Sequence, residues 1–186
     1  MDIVLVTAPT EKPVSLEELK KHVIADDFTD DDEILQIYLD AAINHMDGYS
    51  GMLARALMSQ EWAVQACEWR GCFTMPMKPV KGVVLKYFDE ANVEQTVPET
   101  AYRLSGETLW LDSSFTRPKV YERGDAVSAV FTLGEEDPAD VPAAIKAAIL
   151  LMAAGLYANR EQTGGAEFHQ NPAFDLLISP YRRMHP

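Results

Sequence analysis

Residues 140–161, DVPAAIKAAILLMAAGLYANRE, limit what this chain can fold into more than any other stretch. Asp140 is placed to accept hydrogen bonds from the free amides of a first turn. Pro142 suits that turn because its missing N–H costs nothing there, and alanines fill much of the remaining length. The spacing predicts a helix. Ile145, Ile149, Met152 and Leu156 form a stripe, yet Leu150, Leu151 and Tyr157 lie off it, and Lys146 is the only charge before Arg160. A helix apolar nearly all round must be covered on most sides. Its apolar run, 147–158, falls short of the roughly 20 residues that cross a bilayer. It is therefore expected as a core or subunit-interface helix, with Ile145, Ile149, Met152, Gly155 and Leu156 as packing positions. The small residues Ala147, Ala148, Ala154 and Gly155 are expected to let a neighbouring helix approach closely.

Two further helices are expected upstream. Ser15-Leu16-Glu17-Glu18 is a capping box, so a helix is predicted over 15–24 with Leu16, Leu19, Val23 and Ile24 inward. Leu35, Leu39, Ala42 and Met46 repeat at helical spacing and predict a second over 31–49, packed on the 140–161 helix, with Gly48 and Gly51 marking its end. Between them lies the acidic run 26–33. Clustered carboxylates suit a hard cation, but a calcium loop needs a central glycine that is absent here, and Phe28 occupies a ligand position. The simpler expectation is that Thr29 or Asp30 caps the second helix and the other acids favour its positive end.

From Gln60 the period changes from helical to alternating. Strands are predicted over 60–66, 82–88, 93–97, 102–104, 108–111 and 126–133, with 89–92 and 105–107 as hairpin loops. The aromatics Trp62, Tyr87, Phe88, Trp110 and Phe131 are expected to pack a core rather than stack bases, because base platforms come with nearby positive charge. The expected fold class is α+β and predominantly helical. It is an antiparallel bundle of the three helices carrying a small antiparallel sheet insertion at 60–133, all in a single domain of 1–186. Residues 1–14 are expected as an extended arm, and 164–186 as a glycine hinge and C-terminal tail. That tail holds Phe174, Leu176, Leu177, Ile178, Pro180, Tyr181 and Arg182, and either folds back as a short helix or docks on a partner.

Composition excludes several function classes. At 186 residues and 47% hydrophobic, the chain has material for a real core. Its formal charge of −13 argues against a broad grip on nucleic-acid phosphates. Cys67 and Cys72 are not at a metal-ligand spacing, none of the four histidines forms HExxH, and no nucleophile-elbow or P-loop motif is present. No catalytic residue, cofactor site or metal site is nominated. The opening Met1-Asp2-Ile3 carries no basic leader, so synthesis in the cytoplasm is expected.

Three blocks in order resemble the head-to-tail connector (adaptor) proteins of long-tailed bacteriophages and gene transfer agents. The first is Pro13-Val14-Ser15-Leu16-Glu17-Glu18-Leu19-Lys20, the acidic run, and Tyr49-Ser50-Gly51 close to Arg55-Ala56-Leu57. The second is Met75-Pro76, Pro79-Val80, Val83, Tyr87 to Asp89, Glu94-Gln95-Thr96 and Tyr102-Arg103-Leu104. The third is Val141-Pro142, Ala143 to Leu151, Tyr157, Asn159-Arg160-Glu161 and Leu176-Leu177-Ile178-Ser179-Pro180-Tyr181-Arg182.

The resemblance implies a structural protein without chemistry of its own. About a dozen copies would form a ring beneath the portal of the filled capsid. That ring would continue the DNA channel, without sequence-specific DNA binding, and offer a surface to a tail-side stopper or tail terminator protein. It also implies a place at the head–tail junction of a phage-like particle. The glycine hinge and the apolar content of the tail suggest in addition that Phe174 to Arg182 docks on the portal. Two alternatives stay open. One is an acidic cytoplasmic protein–protein adaptor unrelated to virions; the other is a metal-dependent hydrolase resting only on the acids of 26–33.

Overall fold

The computed structural model describes residues 1–25, 29–159 and 172–182. The chain forms two compact units, one from Met1–Thr10 and Ser59–Gly134, the other from Glu11–Met58 and Glu135–Pro186.

The first unit is built from strands β1 (Asp2–Thr7), β2 (Gln60–Ala66), β3 (Cys72–Thr74), β4 (Val80–Phe88), β5 (Glu94–Thr96), β6 (Tyr102–Ser105), β7 (Thr108–Leu111) and β8 (Val127–Leu133). Five make an antiparallel sheet in the order β1-β2-β8-β4-β5, and three make a second in the order β3-β7-β6. The alternation of β8 sets the first sheet. Val127, Ala129, Phe131 and Leu133 are buried on one face, and the register places Phe131 between Trp62 and Val83, and Ala129 between Val64 and Leu85. In the second sheet the buried Phe73 and Leu109 lie beside Leu104. Trp110 lies on the opposite face, in line with Cys72 and Arg103, and is exposed, unlike the other aromatics assigned to the core.

The expected hairpin loops are present. Asp89 accepts the N–H groups of Ala91 and Val93, each at 3.0 Å, around an Asn92 at positive φ. Gly106 supplies the positive φ between β6 and β7.

The second unit holds helices α1 (Leu16–His22), α2 (Asp32–Met46), α3 (Ala143–Ala158) and α4 (Pro172–Ile178). Its core joins Leu19, Leu35, Leu39, Ala42 and Met46 to Ile145, Ala148, Ile149, Ala153 and Ile178. Each large aliphatic side chain fully removed from water contributes roughly 1.5–3 kcal/mol before entropy is counted. The capping box at Ser15 is formed: Glu18 N–H donates to Ser15 Oγ at 3.2 Å and Ser15 N–H to Glu18 Oε2 at 2.7 Å.

Two expected caps are not. Asp140 closes a 3-10 turn, Pro138–Asp140, so α3 begins behind Pro142 without a side-chain cap. The N-cap of α2 is Asp31, whose carboxylate is engaged by Tyr157 rather than by the first-turn amides.

The expectation of a predominantly helical bundle with a small sheet insertion is overturned. Helix accounts for 31% of the structure and strand for 29%, in two antiparallel sheets of five and three strands. The physical reason is twofold. Helices α1 and α4 span only seven residues each, and residues 2–7, expected as an arm, pair along β2 as a full edge strand.

Candidate interaction site

The C-terminal segment is placed by one corner of the second unit, 47–58. Helix α2 stops at Met46 because Asp47 turns extended, and the Asp47 carboxylate then accepts Leu57 N–H at 2.7 Å. Gly48, at positive φ, donates its N–H to Arg55 O at 2.8 Å, and Met52 N–H donates to His45 O at 2.9 Å. Gly51 is required here: a Cβ would fall on the Asp47 carbonyl and only 2.7 Å from the Met46 carbonyl carbon. With Leu53, Ala56, Leu57 and Met58 buried, the corner holds Arg55 between two partners. Its Nη2 lies 3.8 Å from Glu135 Oε1, and its Cζ lies 6.0 Å from the centroid of the Tyr181 ring.

The nominated docking residues divide into two sets. Helix α4 packs on α3, with Ile178 fully buried and Phe174, Leu177 and Tyr181 partly buried against the same core. Leu176 is 75% exposed, and Pro180 and Arg182 are exposed beside it in sequence. The end of the segment is bonded to itself. Tyr181 and Arg182 N–H both donate to Ile178 O, at 2.9 and 3.0 Å, and Arg182 Nη2 pairs with Asp175 Oδ1 at 2.9 Å. The structure thus leaves Leu176 on α4, and Pro180 and Arg182 in the turn that follows it, exposed on a segment anchored by the other four. The hinge glycines Gly164 and Gly165 lie outside the described residues.

On α3, Ile145 and Ile149 are fully buried, Met152 packs partly buried against the core, and Gly155 and Leu156 are half-buried. Among the described residues, a Cβ at Gly155 would meet nothing within 4 Å, so no described helix approaches closely there. Of the small residues on α3, Ala148 and Ala153 are buried.

The acidic run has structural work in its described part. Tyr157 Oη donates to Asp31 Oδ2 at 2.6 Å, tying α3 to the start of α2. The buried Lys20 brings its ammonium to 2.8 Å from Asp32 Oδ1, an ion pair rather than an aligned hydrogen bond. Asp26, Asp27 and Phe28 lie outside the described residues. Among the described residues no group of three or more His, Cys, Asp or Glu is placed to hold a metal ion, and no helix is long and apolar enough to cross a membrane.

Charge is unevenly divided. The second unit holds eighteen of the 29 acids and eight of the 16 Lys and Arg residues. In the first unit three carboxyls sit below the usual range. Asp89 is held there by the Val93 N–H and the Gln95 amide, Asp112 by the Ser114 hydroxyl and N–H, and Asp125 by the two-pronged Arg123 guanidinium, which also stacks 3.7 Å over Phe88. Sequence reading did not single out Arg55 as the partner of Tyr181, nor the exposure of Val4, Leu5 and Val6 on β1. The second had a signal, an apolar run from Ile3 to Val6 with no charge inside it.

No family model and no curated protein matches the chain. Solved structures do. A chain from the neck of an empty gene transfer agent (GTA) particle computed with C6 symmetry is 26% identical, with a TM-score of 0.77 over 100% of this chain and 97% of that one. A chain of the virion of a native GTA particle is also 26% identical, with a TM-score of 0.75 at the same coverage. A chain from the neck of a native GTA particle computed with C12 symmetry is 25% identical, with a TM-score of 0.75, again over 100% and 97%. The similarity therefore takes in both units and the C-terminal helix, not a shared fragment.

Proposed function

We propose that this chain is a structural subunit of the neck of a phage-like particle, a head-to-tail connector at the junction of capsid and tail. The observation that carries the reading is similarity over the full length to chains of GTA necks. A two-unit chain with an inserted sheet has many ways to match in part and few to match throughout. In this reading copies of the subunit form a ring beneath the portal, extend the DNA channel and offer a surface to a tail-side stopper or terminator. DNA passes without sequence-specific contact. A net charge of −13 repeated around a ring discourages DNA from adhering during passage; a channel lined by basic residues would contradict that part.

The C-terminal segment is the docking element toward the portal. Leu176, Pro180 and Arg182 face outward while Phe174, Leu177, Ile178 and Tyr181 hold the helix to its own core. The test is co-sedimentation with the portal protein encoded in the same gene cluster, using the full chain and a form ending at Gly165. The full chain is expected to sediment with the portal and the shortened form to remain behind, its remaining helices still folded by circular dichroism. Equal binding by both would move the contact elsewhere, and no binding by the full chain would defeat the connector reading.

A further inference from the structure

Strand β1 is the terminal strand of its sheet, and among the described residues no strand pairs with its outer edge. Main-chain N–H and C=O groups turned away from β2 are therefore open to another strand or chain. Val4 is 42%, Leu5 43% and Val6 52% exposed, and because neighbouring side chains alternate, both faces of the strand are apolar and wet. Soluble sheets guard such edges with lysine, proline or a covering helix. Here no charge occurs from Ile3 to Thr10, and the irregularity between Leu5 and Thr7 is the strand's sole interruption.

We propose that the outer edge of β1 is a subunit–subunit surface, occupied by a second copy of this chain. The inference rests on the ring reading of the proposed function. Charge favours a copy over a different partner. Two chains of charge −13 repel, so self-association belongs where charge is thinnest, and residues 1–10 hold one acid and no base. A basic partner would be drawn instead to the second unit, where the acids concentrate. Symmetry points the same way, because the similar chains belong to necks computed with C6 and C12 symmetry, in which a subunit meets its own kind. In a ring of more than two members the contact is heterologous, so β1 of one copy meets a different surface of the next. Pairing β1 with β1 would close a dimer.

The test is the full-length double variant Val4→Lys/Val6→Lys, followed by sedimentation velocity alone and with the portal, with the melting temperature as a folding control. Both side chains already face solvent, so the variant is expected to melt like the parent. It is expected to need at least about tenfold more protein for half-assembly. The Val4→Thr/Val6→Thr pair, which keeps strand propensity without adding charge, decides by the same criterion if the lysine pair lowers the melting temperature. Assembly of the folded variants at the parent's concentration overturns the inference and leaves the ring reading standing. An assembly that stops at a dimer also overturns it. Failure of the parent to form a ring with or without the portal defeats the ring reading itself, and this inference falls with it.

Discussion

Ile24 closes α1 in a conformation that a β-branched residue rarely takes. Its φ is 58°, its N–H donates to Lys21 O at 3.3 Å, and Ala25 N–H reaches Lys20 O at 2.9 Å, a Schellman closure with isoleucine where glycine is usual. The side chain, expected to face inward, is 93% exposed because the positive φ turns it off the apolar stripe, so no packing offsets the strain. Ile24→Gly is expected to stabilise the chain by about 1 kcal/mol in urea unfolding; a loss of stability would show that the exposed side chain makes a contact worth more than the strain. Gly51 is the opposite case. Gly51→Ala drives a methyl into the Asp47 carbonyl, and displacing that corner is expected to cost about 1–3 kcal/mol and to loosen the hold of Arg55 on Tyr181. The lowered carboxyls set an acid limb. Asp89, Asp112 and Asp125 contribute stability that is present above the ordinary carboxyl range, about pH 4, and is lost as pH falls through their lower folded values. Asp89→Asn is expected to flatten the fall in melting temperature below that pH, and an unchanged acid limb would assign it to other groups.

At the scale of elements, strands bounded by turn chemistry were legible and pairings were not. The period-2 patterns of β2 and β7 coincide with their observed spans, because alternation and half-burial are local. The Ile3–Val6 run does not alternate, so it reads as an arm although it pairs along β2, and β3 is too short for any period to register. Nor does a local pattern show that β8 threads between β2 and β4, since that order is fixed by contacts between residues far apart in the chain, such as Trp62 and Phe131. Helix ends were misplaced where a side chain prefers a distant partner, as Asp47 does with Leu57 N–H and Asp31 with Tyr157. The candidate docking segment was legible as a hydrophobic tail. Which residues turn inward depended on a core supplied by α2 and α3. On α3, no described residue stands where a Cβ of Gly155 would lie, so Gly155→Ala is expected to stabilise the helix by about 0.5–1 kcal/mol through its backbone entropy. A loss of ring assembly by that variant, with its fold retained, would place Gly155 against a neighbouring subunit.

For the whole molecule, the balance of helix and strand was the least legible feature, because eight short strands, half of them only three or four residues long, leave weak local signals beside two conspicuous helices. A structural role in a particle was more legible than the architecture. Scattered residue blocks pointed to a connector, and full-length similarity to GTA neck chains supports the same reading from the fold. Under the proposed reading, the acidic surface, the uncharged edge of β1 and the anchored C-terminal segment would have distinct roles, toward DNA, the next copy and the portal. The most direct measurement is cryo-electron microscopy of the purified chain mixed with intact portal rings, with the mass of the complex taken in parallel. A ring of this chain stacked coaxially on the portal, its mass matching about one copy per portal subunit, is the expected result. Portal rings that remain bare at saturating concentrations of a folded chain would contradict the connector function.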